Sequence, residues 1–207
     1  MKKELKSVRI LDPELITKYE AEFAENEAKI TEKVYQSVIE ERARVKKIIC
    51  KKSIAAPIEK VYQAYLEKAA HDLHPNLKPE ELQLNGFYQT SKSNNRTIFK
   101  IKSLIENQEI MVEWFAKDQW FTRTVLFSQN KTNTKTKIKY MDISKGKRSI
   151  AGFMERHVAG VYNKRQQLAF LVQIFEMKIK LGLYPQKKIP IIEKRIARIL
   201  NYSKNLF

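Results

Sequence analysis

Apolar residues fall into three successive rhythms along this chain, and the two changes of rhythm divide it. Leu15, Ile16, Tyr19, Phe23, Ile30, Val34 and Val38 recur at about 100° per residue, the spacing of a helix with one apolar face. Asp12-Pro13 opens that helix with an N-cap acid and a proline at the first helical position. The spacing predicts a helix to about Arg42, with a break near Asn26 and a Glu-rich outer face. Such a helix is unstable alone and must dock on something.

From Val45 the period becomes two. Ile48, Cys50 and Ile54 alternate with Lys47, Ile49, Lys51 and Ser53, one side apolar and the other mostly charged, which predicts a half-buried strand. Ala55-Ala56-Pro57 ends it and starts a helix with the face Ile58, Val61, Tyr62, Tyr65 and Leu66. Residues 71–81 hold Pro75 and Pro79 and read as a connection or a short second helix. Five strand-like runs follow, at about 83–91, 96–106, 109–117, 121–129 and 134–144, with separators so short that neighbours must be antiparallel. In the last run the lysines share one phase, as on an exposed sheet face or an edge.

Helical spacing returns over 150–182. Ile150, Phe153, His157, Val161, Leu168, Leu171, Val172, Phe175 and Ile179 form one stripe, and Gly182 is placed to cap the end. From Phe170 a second side turns apolar through Ile174, Met177 and Leu181, so this helix is covered on two sides. The expected cover is the N-terminal helix, with a second subunit (a homodimer through this helix) as the alternative. Pro190 to Phe207 reads as a short basic helix, placed on an anionic surface, packed on its own domain, or frayed.

Strand, Pro-started helix, antiparallel meander and long closing helix together resemble the helix-grip fold of the START-like (SRPBCC) superfamily. The resemblance rests on Ile48 to Ile54, on Ala56-Pro57-Ile58-Glu59-Lys60-Val61-Tyr62-Gln63-Ala64-Tyr65, and on the helix from Ile150. Leu84-Asn85-Gly86-Phe87-Tyr88 and the meander after it are similar to uncharacterised bacterial proteins of that fold. It implies an α+β domain at 44–183, a curved antiparallel sheet gripping the last helix around a cavity. An amphipathic helix (1–43) precedes it and a basic tail (184–207) follows. One departure is a count of six strands where the superfamily usually has seven. Members bind lipids, sterols, polyketides or plant hormones, act as cyclases, or activate chaperones, so the fold does not select among functions.

Composition narrows the classes. The 43% of hydrophobic residues can fill a core, and no run approaches the roughly 18 apolar residues of a membrane span. Cys50 is the single cysteine and no secretory signal is visible, which suits a reducing, cytoplasmic setting. The net charge of +17 raises a nucleic-acid or polyanion reading through Lys131 to Arg148 and the tail. Against it, most of the bases are lysine rather than the bidentate arginine. Residues 11–43 are also acidic, with nine acids against four bases.

No Gly-rich phosphate loop, nucleophile elbow or metalloprotease motif occurs, which argues against a hydrolase or transferase. His71-Asp72-Leu73-His74 lacks the cysteines of a structural zinc site and reads as a polar loop, so neither metal nor cofactor is expected. The remaining expectation is non-catalytic binding of a small apolar or amphiphilic ligand between sheet and closing helix. Phe99, Ile101, Trp114 and Tyr140 are its sheet-side candidates, and His157, Val161 and Arg165 its helix-side candidates, with Lys164 flanking the stripe. A protein-interaction adaptor with exposed apolar helix faces is a further alternative.

Overall fold

The structure is a computed structural model that describes residues 8–89, 97–116, 118–146 and 153–206, with side chains of 153–158 excluded. Helix α1 (Pro13–Val34) is capped by the Asp12 carboxylate, which accepts from the Glu14 backbone N–H. The break falls at Tyr35–Ser37 and not at Asn26, whose side-chain amide donates to the Glu22 carbonyl inside the helix. Ser37 then caps α2 (Val38–Arg44), because its hydroxyl satisfies the Glu40 N–H that the new helix would leave unpaired. Strand β1 (Val45–Ile54) follows directly, then α3 (Ile58–Leu73) and a 3-10 turn at Pro79–Glu81.

The strands β2 (Phe87–Gln89), β3 (Ile98–Ile105), β4 (Glu109–Ala116), β5 (Gln119–Gln129) and β6 (Thr136–Gly146) complete an antiparallel six-stranded sheet in the order β1-β6-β5-β4-β3-β2. The first strand therefore pairs with the last, beside the consecutive meander β2 to β6. A register shift between Ile101 and Ser103 marks an irregularity in β3. Residues 8–10 add to the free edge of β2, where Ile10 N–H donates to the Phe87 carbonyl at 2.9 Å and Gln89 N–H to the Val8 carbonyl at 2.8 Å. Helix α4 (Phe153–Lys180) lies against the inner face, and the architecture is the helix-grip α+β fold.

The Leu84 to Tyr88 motif has a local physical cause. Asn85 takes φ +60°, which Asn tolerates better than most residues. Gly86 then passes so near the Tyr88 ring that an added Cβ would stand 2.7 Å from its hydroxyl. That hydroxyl accepts from Gln83 N–H and donates to the Glu81 carbonyl, both at 2.7 Å, and so pins the 3-10 turn to β2.

Period-two alternation sorts the sheet's side chains cleanly. On β6 the residues Thr136, Ile138, Tyr140, Asp142 and Ser144 are buried on the inner face. Ile54, Val61, Tyr65, Val125, Phe127, Ile138, Phe170 and Met177 belong to the main core between sheet, α3 and α4. The lysines of β6 face outward, but β6 lies beside β1 and is not an edge.

The outer face meets α1. Phe23 stands edge-on to Phe115 at 4.9 Å and to Phe87 at 5.4 Å, while Ile30 and Val34 pack on Trp120. The N-terminal helix thus docks in cis, but on the far side of the sheet from α4. The expectation that it covers the second apolar side of the closing helix is overturned. That cover is α5 (Ile189–Lys204), whose Ile192, Ile196 and Ile199 pack against Leu171, Val172, Phe175 and Ile179. The apolar side for which a second subunit was the alternative cover is occupied by the chain's own tail.

Alpha4 is also rotated from the expected orientation. Phe170, Ile174 and Met177, the supposed second side, face the sheet, while the C-terminal half of the supposed main stripe faces α5. Both sides are apolar, so spacing alone does not rank them. The helix ends in a Schellman motif: Gly182, at φ +67°, donates to the Ile179 carbonyl and Leu183 to that of Lys178.

Candidate functional site on the inner face of the sheet

The inner face has two unlike ends. Toward Ile54 and Ile138 it is filled by α3 and the second half of α4. Toward Trp114 it carries partly exposed aromatic rings beside a buried charged cluster. The register places Phe99 opposite Trp114 and Trp114 opposite Phe121. Their rings form a ladder, Phe99 to Trp114 at 5.3 Å and Trp114 stacked on Phe121 at 5.2 Å and 6°, with Tyr162 of α4 6.2 Å beyond. The next row holds Ile101, Val112, Arg123 and Asp142, directly opposite one another on four strands.

Asp142 is the hub. Its Oδ2 accepts from Arg123 Nη2 at 2.9 Å and Nε at 3.3 Å, and from the Tyr140 hydroxyl at 3.1 Å. Tyr162 of α4 donates to Oδ1 at 3.3 Å. Arg123 also donates to Gln166 Oε1 at 2.9 Å and lies over the rings of Trp114 and Tyr140 at 5.3 and 5.5 Å. Asp142 is 1% exposed, and the Arg123 side chain 29%, so the pair sits at the rim of the filled core. Burial pushes the Tyr140 and Tyr162 hydroxyls above the ordinary tyrosine value; Asp142 adds to this and Arg123 opposes it. Burial disfavours the Arg123 cation, but the Asp142 carboxylate beside it outweighs this, and its pKa is raised. The cluster is charge-paired, and its tyrosines stay protonated as donors.

The sheet-side candidates Phe99, Ile101, Trp114 and Tyr140 all lie on this face. Of the helix-side candidates, the two whose side chains are described, Val161 and Arg165, do not gather there. Arg165 points to α5, where its Nε donates to the Ser203 carbonyl at 3.0 Å and Nη2 to that of Lys204 at 3.2 Å. It neutralises the carbonyl end of α5 and is not aimed across the sheet. Val161 is half-buried at the helical phase of Val172 and Ile179, the α5 side. The side chain of His157 and residue Ile150 lie outside the described residues.

Arg123, Asp142, Tyr162, Gln166 and Phe121 were missed from the sequence. A signal existed: Asp142 is the one acid among seven bases over 131–150, and it falls in the buried phase of Ile138 and Tyr140. The His71 to His74 segment is the last turn of α3 and its cap rather than a loop, with Asp72 bound to Lys68 of α3 and to Gln173 of α4, and the His74 ring accepting from Asn76 N–H.

Comparison with known proteins adds no closer relative. No family model matches the chain, nor does any curated protein sequence. Among solved structures it is similar to CalU16 from Micromonospora echinospora at 11% identity and a TM-score of 0.47, over 76% of this chain and 88% of that one. It is similar to norcoclaurine synthase from Thalictrum flavum, in complex with dopamine and hydroxybenzaldehyde, at 14% identity and a TM-score of 0.46, over 72% and 92%. Protein MLL2253 from Mesorhizobium loti gives 14% and 0.44, over 64% and 93%. Likeness at this level accompanies a shared fold and carries nothing about ligand or reaction. No helix among the described residues is long and apolar enough to cross a membrane.

Proposed function

We propose that this protein binds a small amphiphile with a flat apolar body and an uncharged polar end, on the inner face between β3–β6 and α4, without chemical conversion. The observation that carries the reading is the partly exposed ladder Phe99–Trp114–Phe121 ending at the Arg123–Asp142 cluster. Aromatic faces suit a planar apolar group. The polar end meets hydroxyls and a neutralised ion pair, which reward a hydroxyl or carbonyl more than a second carboxylate. A domain organisation with the ligand site inside 44–183, flanked by a docked helix and a docked tail, accords with this.

Calorimetric titration with 2-naphthol and 2-naphthoate tests the reading. The neutral probe should bind more tightly, and Trp114→Ala should weaken it by about tenfold, the scale of one lost aromatic contact in a pocket. A preference for naphthoate, or an unchanged affinity in Trp114→Ala, would refute it.

A further inference from the structure

The part of the outer face that α1 leaves bare forms a groove of about 780 Å³ between β1 and the β3–β4 turn. One row of directly opposed residues crosses it on five strands: Lys51, Lys139, Leu126, Glu109 and Ile105. Lys137 stands two positions from Lys139, opposite Ser53 and Ser128. The groove is therefore cationic at the β1–β6 wall, apolar at Leu126, acidic at Glu109, and apolar again at Ile105, which is 48% exposed.

Among the described residues no ion pair engages Lys51, Lys137 or Lys139. Like charges directly opposite on paired strands destabilise a sheet, and here the repulsion stands uncompensated. Positions two apart on a strand are separated by about 6.8 Å and neighbouring strands by about 4.8 Å. Three ammonium groups on flexible stems at that spacing are within reach of one compact anion. They do not trace a polymer, because Glu109 closes the far wall with the opposite preference.

From this arrangement we infer a second binding site, on the outer face, for a soluble amphiphile carrying one compact anionic group and a single apolar chain. The anion sits among Lys51, Lys137 and Lys139, and the chain lies over Leu126 and along the aliphatic stem of Glu109 toward Ile105. The charge-paired inner site selects differently, and the whole sheet separates the two.

The test is calorimetric titration of the full chain with decanoate, decyltrimethylammonium and acetate. Decanoate alone should bind measurably. The double variant Lys51→Gln, Lys139→Gln should weaken it by about tenfold through loss of charge-assisted contacts, and Trp114→Ala should leave it unchanged. Removing facing like charges relieves repulsion, so the double variant keeps its fold, checked by its urea midpoint. Equal binding of the cationic analogue, an unchanged double variant, or loss of decanoate in Trp114→Ala would each overturn the assignment. Acetate binding as tightly as decanoate would reduce the site to a plain anion patch. A short oligodeoxythymidine that binds more tightly than decanoate and depends on the same lysines would replace the amphiphile with a polyanion.

Discussion

Removing the Asp142 carboxylate gives the sharpest test of how the inner face is held. In Asp142→Ala, Arg123 keeps its charge but loses contacts at 2.9 and 3.3 Å, and Tyr140 and Tyr162 lose their shared acceptor. Deleting one partner of a fully buried pair costs about 3–5 kcal/mol because the other charge is stranded. Arg123 retains 29% of its exposure, so water offsets part of that, and the expected cost falls to about 2–3 kcal/mol. The two hydroxyls reach water or Gln166 less well, which keeps the figure from dropping further. Urea unfolding at neutral pH, followed by tryptophan fluorescence and far-UV dichroism, gives the difference directly. The companion variants are Arg123→Met and the double Arg123→Met, Asp142→Ala. If the pair acts as a unit, the double variant loses less than the two singles together, by at least about 1.5 kcal/mol. A cost below about 1 kcal/mol for Asp142→Ala, or strict additivity, would show that the pair is solvated and that the inner site is not preorganised.

Alkaline stability follows from the buried tyrosines. Burial pushes Tyr65 up to about 12 and raises Tyr140 and Tyr162 further, so their stabilising contribution is whole below the unfolded value near 10 and is lost as pH rises beyond it. Ultraviolet tyrosinate titration should show a group of hydroxyls that ionises only as the chain unfolds; smooth titration of every tyrosine near pH 10 would contradict this. Gly86→Ala should cost about 1–3 kcal/mol by overpacking against Tyr88 and the Gln83 carbonyl, read as a lowered urea midpoint, and a neutral result would mean that the turn relaxes freely. Phe23→Ala, which empties the contact with Phe87 and Phe115, should cost about 3–4 kcal/mol; an unchanged midpoint would mean that α1 does not hold the outer face.

Much of the architecture was legible because alternation and helical spacing are local properties. The change to period two at Val45 located β1, and Pro57 located the start of α3. The short separators dictated an antiparallel meander, and Gly182 marked the end of α4. Alternation also set Trp114 and Phe115 on opposite faces, one in the ladder and one under α1. Tertiary structure decided which apolar face met which. Alpha4 is apolar on two sides, and a helical wheel carries no term for what lies opposite, so its rotation, the roles of α1 and α5, and the direction of Arg165 all depended on packing. The same holds for the site. Arg123 and Asp142 are 19 residues apart and look like ordinary strand charges until the β5–β6 register sets them opposite each other. A polar residue's partner is a property of the register, and the register is fixed only when the whole sheet closes.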